Sequence, residues 1–79
     1  MEDTCILIVD DDAGIRDTMH EFIGMSGYEA LAAGSAEEAL ELLDQKNVDV
    51  VISDISLPGM DGLELTDRIK KNFDADVIV

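Results

Sequence analysis

The sequence predicts an α/β fold, a parallel sheet covered by helices, and three observations predict it. Two short runs, Cys5-Ile6-Leu7-Ile8-Val9 and the Val50-Val51-Ile52 centre of Val48–Asp54, are continuously apolar and rich in β-branched residues. Such runs are too short for helices and read as strands buried on both faces, as in a parallel sheet. The segments between and after them carry apolar residues at helical spacing, with turn signals at the junctions. Strand and helix therefore alternate to the end of the chain, which calls for right-handed crossovers and one parallel sheet.

Each element has its own signal. The first strand, Cys5 to Val9, stops at Asp10-Asp11-Asp12. Beyond Ala13-Gly14, Ile15, Met19, Phe22 and Ile23 recur on one face of a helix and are its expected buried side. Ser26-Gly27 ends that helix, with Gly27 suited to a left-handed cap. Tyr28 to Ala33 is a weaker run of small apolar residues, expected at a sheet edge. Ser35 with Glu38 three residues on is a capping-box signature. The helix it opens buries Ala36, Ala39, Leu40 and Leu43, and Lys46-Asn47 turns into the central strand, Val48 to Asp54. After the Pro58-Gly59 turn, Asp61 caps a third helix with Leu63, Leu65 and Ile69 as its buried side. Lys70 and Lys71 fall in its last turn, where cations complement the helix dipole. Asp76-Val77-Ile78-Val79 forms a fourth strand.

Composition narrows the function classes. Hydrophobic residues make up 47% of the 79, enough for a packed core rather than disorder. The formal charge is −14, from 19 acids against 5 bases. So acidic a chain repels nucleic acid and favours cations or basic protein partners. Cys5 is the single cysteine and cannot form an internal disulfide. No apolar run approaches the roughly 18 residues that span a bilayer, and the acidic start does not suit a signal peptide. The expected location is the cytoplasm.

Two buried strands end on carboxylates: Val9 leads to Asp10 and Asp11, and Ser53 leads to Asp54. The carboxyl end of a central parallel strand is where open α/β sheets bind ligands. If the two strands are neighbours, three or four acids converge at one sheet edge. Two carboxylates about 4 Å apart repel by roughly 4 kcal/mol at an effective dielectric of 20. A domain this small does not hold such a cluster for stability alone. A hard divalent cation relieves the repulsion, and ligands of this type suit Mg²⁺ or Mn²⁺. Such a cation beside Asp54 would also neutralise an incoming phosphoryl group. The plainer alternative is that acids before a helix are caps, which is the reading for Asp12 and Asp61. The glycines at 14 and 62 lack the preceding acids of a calcium-binding EF-hand loop.

Ile6-Leu7-Ile8-Val9-Asp10-Asp11-Asp12, together with Asp54 and Leu57-Pro58-Gly59-Met60-Asp61-Gly62, resembles the receiver domain of bacterial two-component response regulators. The resemblance runs in register through the whole chain. It implies a flavodoxin-like, doubly wound parallel sheet whose full order is 2-1-3-4-5. Asp54 matches the phosphoryl acceptor and Asp11 the carboxylate that binds Mg²⁺ directly. Asp10 matches a neighbour acting mainly through water, and the carbonyl of Ser56 a backbone ligand. The implied function is to accept a phosphoryl group from a sensor histidine kinase, catalysing at most its own phosphorylation and dephosphorylation. An output domain would carry the response, and none is present in this chain. The family pattern continues to a hydroxyl residue after the fourth strand and a lysine at the end of a fifth. Because the chain stops at Val79 before both, the expectation is a receiver lacking its fifth strand and last helices, with the order 2-1-3-4. Its uncovered fourth strand is expected to promote self-association.

Two other functions compete with this one. A metal-dependent phosphohydrolase could use Asp54 as nucleophile, but it usually needs a second acid two residues later, where this chain has Ser56. A receiver-like interaction module would never be phosphorylated. His20 has no second histidine or cysteine nearby and is read as solvent-facing. Cys5 is read as a small apolar filler, and Met19 and Met25 as packing residues. Gly24, Gly27 and Gly34 match neither a dinucleotide-binding nor a P-loop spacing.

Overall fold

The apolar runs and helical repeats form seven elements: β1 (Cys5–Val9), α1 (Ala13–Met25), β2 (Glu29–Ala33), α2 (Ala36–Gln45), β3 (Val50–Ser53), α3 (Gly62–Asn72) and β4 (Asp76–Ile78). The structure is a computed structural model that describes residues 4–54, 60 and 62–78. All strand pairs are parallel and the sheet order is β2-β1-β3-β4. The two most apolar strands are therefore central neighbours, with Val9 level with Ser53. None of the described helices is long and apolar enough to cross a membrane.

Turn chemistry at the helix ends matches the residue types. Asp12 caps α1, its Oδ1 accepting from the N–H groups of Gly14 (2.9 Å) and Ile15 (3.1 Å). That satisfies two of the donors a helix start leaves without intrahelical partners. At the far end Gly27 holds φ +96°, a left-handed conformation that only glycine adopts freely. Ser35 Oγ accepts from Glu38 N–H at 3.1 Å, while the Glu38 carboxylate accepts from Gly34 N–H at 2.9 Å. The reciprocal capping pair therefore forms, shifted by one residue on its return arm. The predicted cap Asp61 and the Pro58-Gly59 turn lie outside the described residues, as does Val79.

The core lies on one face of the sheet. Leu7, Val9 and Val51 pack there with Ala36, Ala39 and Leu43 of α2 and Leu65 and Ile69 of α3. Four expectations about burial in the helices fail. Leu63 of α3 is 61% exposed, and Ile15, Phe22 and Met25 of α1 are 50%, 70% and 80% exposed. Ile23 is the residue of α1 that is fully buried. The central strand is also not buried on both faces, since Val51 and Ser53 are buried while Val50 and Ile52 are only partly covered. One cause accounts for the α1 and β3 results: α1 is the only described helix on that face and lies mainly over β2 and β1. Periodicity reports which side of a helix is apolar, not how much sheet lies beneath it.

At the amino ends of the strands Asp49 joins three of them. Its Oδ2 accepts from Cys5 N–H (2.8 Å), its N–H donates to the Cys5 carbonyl (2.9 Å), and its carbonyl accepts from Asp76 N–H (3.0 Å). Cys5 is buried, and its thiol is pushed above the usual cysteine value by burial first and then by the negative charges of Glu29 and Asp49. The thiolate is the reactive form, so a thiol held protonated is inert. Cys5 is expected to resist alkylation at neutral pH and to react at the rate of an unfolded thiol in denaturant, as titration with a thiol reagent can show.

Candidate metal centre

At the carboxyl edge of the sheet the parallel pairing of β1 and β3 sets Asp10 and Asp54 side by side. Asp54 N–H donates to the Val9 carbonyl (2.9 Å) and Asp10 N–H to the Ala33 carbonyl (3.1 Å), so the ladders on both sides of β1 run into the site. Asp10, Asp11 and Asp54 each present a carboxylate oxygen, and the three oxygens lie within 4.8 Å of one another. Asp10 and Asp54 are half-buried and Asp11 is exposed. The predicted trio is therefore brought together. Ser56, the predicted backbone ligand, lies outside the described residues.

Local hydrogen bonds hold the Asp10 side chain and the backbone of Asp54. Asp10 Oδ1 accepts from Asp12 N–H at 2.9 Å, which turns the chain from β1 toward α1. Ser53 is the only buried polar residue among those described, and its Oγ donates to the Asp54 carbonyl at 3.1 Å. The carboxylates thus stand on backbone held by sheet and cap, not on a free loop. Three acids grouped this closely repel one another, and a compact divalent cation of the Mg²⁺ class offsets that repulsion with oxygen ligands alone. The donor set fits such an ion.

A cleft of about 300 Å³ opens beside the acids, lined by Ile8, Val9, Asp10, Met19, Ile52, Ser53 and Asp54. Its floor is the partly covered sheet face and its rim is acidic. Another, of about 380 Å³, lies at the opposite end of the strands among Leu43, Lys46, Asp49 and Phe73. That end of a parallel sheet is not where ligands bind.

Two contacts made by α1, the first of them at the site, were not legible in the sequence. Arg16 of α1 donates from Nη1 to the Asp10 carbonyl at 3.0 Å. His20 is exposed as expected, yet its Nε2 sits 3.0 Å from the Ala30 carbonyl on β2. Both are tertiary contacts between helix and strand, and no local spacing signals them.

The response regulator receiver domain model matches residues 6–79. Sporulation initiation phosphotransferase F of Bacillus subtilis is 40% identical over 82% of this chain and 52% of its own length. Transcriptional regulatory protein AruR of Pseudomonas aeruginosa is 38% identical over 94% of this chain and 32% of its own. The chain thus spans about half or less of the length of these curated relatives. Among solved structures, response regulator TrrA of Thermotoga maritima, in complex with Mg²⁺-BeF, superposes with a TM-score of 0.88 at 43% identity, covering 96% of this chain and 67% of that one. With the sheet order, the acidic trio and the family match in agreement, the chain belongs to the receiver domain family of response regulators.

Proposed function

We propose that this chain is a phosphoacceptor signalling domain in which Asp54 takes a phosphoryl group from a histidine kinase in the cytoplasm. The observation that carries the proposal is the convergence of Asp10, Asp11 and Asp54 within 4.8 Å. Asp11 and Asp54 would hold Mg²⁺ directly, with Asp10 beside them and the Ser56 carbonyl completing the protein ligands. Bound there, the ion would neutralise charge on the transferring phosphoryl oxygens. Asp54 supplies the nucleophile: a carboxylate oxygen forms the new O–P bond as the P–N bond to the kinase histidine breaks, its electron pair leaving with the imidazole. Ser53 and the β1–β3 ladder keep the Asp54 backbone still while this happens.

Incubation with a small phosphodonor and Mg²⁺ tests this reading. Hydroxylamine-labile phosphate is expected on the wild-type chain, mapped to Asp54, and absent from Asp54→Ala. Labelling of Asp54→Ala at another aspartate overturns the assignment. Continuous phosphate release over many turnovers points instead to a phosphohydrolase.

We also propose that the 79-residue chain self-associates. Among the described residues β4 is the edge of the sheet, and Ile78 on it is 56% exposed. An exposed β-branched edge is a template for pairing with another chain. The net charge of −14 opposes that association, so added salt should promote it by screening. Sedimentation at micromolar concentration is expected to show a species above monomer mass that grows with salt. A monomer with native-like circular dichroism at every salt concentration contradicts this proposal.

A further inference from the structure

The carboxyl edge of the sheet holds one cation of the protein's own. Of the five basic side chains, Lys46 follows α2 and Arg68, Lys70 and Lys71 lie in the second half of α3. Arg16 alone reaches the end where the acids gather. Its Nη1 donates to the Asp10 carbonyl at 3.0 Å, six residues back along the chain. The guanidinium also lies against Gly34 in the β2–α2 turn. A Cβ added at Gly34 would stand 3.0 Å from Nη1 and 3.7 Å from Cζ. Arg16 therefore bridges α1, the end of β1 and the turn after β2, through a gap that the missing Cβ of Gly34 leaves open.

Asp10 is consequently held at three atoms. Its N–H donates to the Ala33 carbonyl, its Oδ1 accepts from Asp12 N–H, and its carbonyl accepts from Arg16. The second of these closes a turn around the peptide between Asp10 and Asp11, and the third holds the carbonyl of that same peptide. The plane of that peptide sets the direction in which the Asp11 side chain leaves the backbone.

We infer that Arg16 is a positioning residue for the cation site, its guanidinium on the Asp10 carbonyl fixing how Asp10 and Asp11 approach Asp54. The inference rests on the cation-binding reading above. Two effects of Arg16 oppose each other, and their balance gives a sign that can be measured. As a nearby positive charge it weakens cation binding, so removing it raises affinity if charge is all it supplies. As a clamp on the ligand-bearing backbone it strengthens binding, as partners that orient metal ligands do.

Calorimetric Mg²⁺ titration of the full chain, with amide hydrogen exchange of the metal-free protein, decides between them. Arg16→Gln cannot reach the Asp10 carbonyl, and it is expected to weaken Mg²⁺ about tenfold. Arg16→Lys keeps the charge without the planar fork and should recover only part of that loss. Gly34→Ala keeps Arg16 itself but displaces its guanidinium, and should weaken binding several-fold. In both Arg16→Gln and Gly34→Ala the Asp12 amide, held by Asp10 Oδ1, should exchange faster while core amides do not. Should Arg16→Gln fail to fold, Arg16→Lys and Gly34→Ala carry the test. Affinity that is unchanged or higher in the folded variants overturns the inference while leaving the cation reading intact. A wild-type chain with no saturable Mg²⁺ binding overturns the cation reading, and the inference with it.

Discussion

Leu7→Ala is expected to leave most of the chain unfolded at 25 °C. Leu7 is fully buried in the middle of β1, between β2 and β3 and facing the α2 and α3 side. Cutting such a leucine to alanine costs about 2.7–5 kcal/mol, from lost burial and the cavity left behind. A domain of this size has only about 3–5 kcal/mol in total. The cost and the reserve are equal in scale, so the loss is not graded. Phe22→Ala supplies the contrast. At 70% exposure it should change stability by less than about 0.5 kcal/mol, although a helical-wheel reading ranks Phe22 with the core. Urea titration followed by far-ultraviolet circular dichroism measures both. A cooperative transition retained in Leu7→Ala would mean that the core is not where the buried leucine places it.

The second large effect is functional. Asp11→Asn keeps the size of the side chain and removes its charge. Asp11 is exposed, so stability should hold or rise slightly as repulsion within the trio eases. Phosphorylation by a small phosphodonor should nevertheless fall by about 100-fold or more. Stabilising the charge on a transferring phosphoryl group is worth several kcal/mol, and each 1.4 kcal/mol is a factor of about ten in rate. The melting temperature should also lose its rise with added Mg²⁺, because an ion that binds only the folded state stabilises it. An Asp11→Asn chain labelled at the wild-type rate would remove Asp11 from the site.

Much of this molecule was legible in its sequence because the signals are local. Cys5–Val9 and Val50–Ser53 are strands because continuous β-branched runs leave few alternatives, and their terminal acids follow from chain order. Gly27 and the Ser35–Glu38 pair mark helix ends through contacts within four residues. The meeting of Asp10 and Asp11 with Asp54 needed one further step, that the two most apolar strands lie side by side. Legibility ended where a residue's surroundings depend on a distant element. Ile15, Phe22 and Leu63 carry the right period but face too little sheet or helix to be covered. The Arg16 contact joins residues whose spacing carries no pattern, and its room comes from Gly34, eighteen positions on. His20 likewise meets a strand carbonyl ten residues away.

The most direct test of the central claim is an Mg²⁺ titration followed by amide resonances of the wild-type chain. If one ion sits among the three carboxylates, the amides of Asp10, Asp11 and Asp54 shift together along one saturating curve, with a dissociation constant in the millimolar range, while the acids of α2 stay still. Small, unsaturating shifts spread over the whole acidic surface, with none concentrated at these three, would contradict the account.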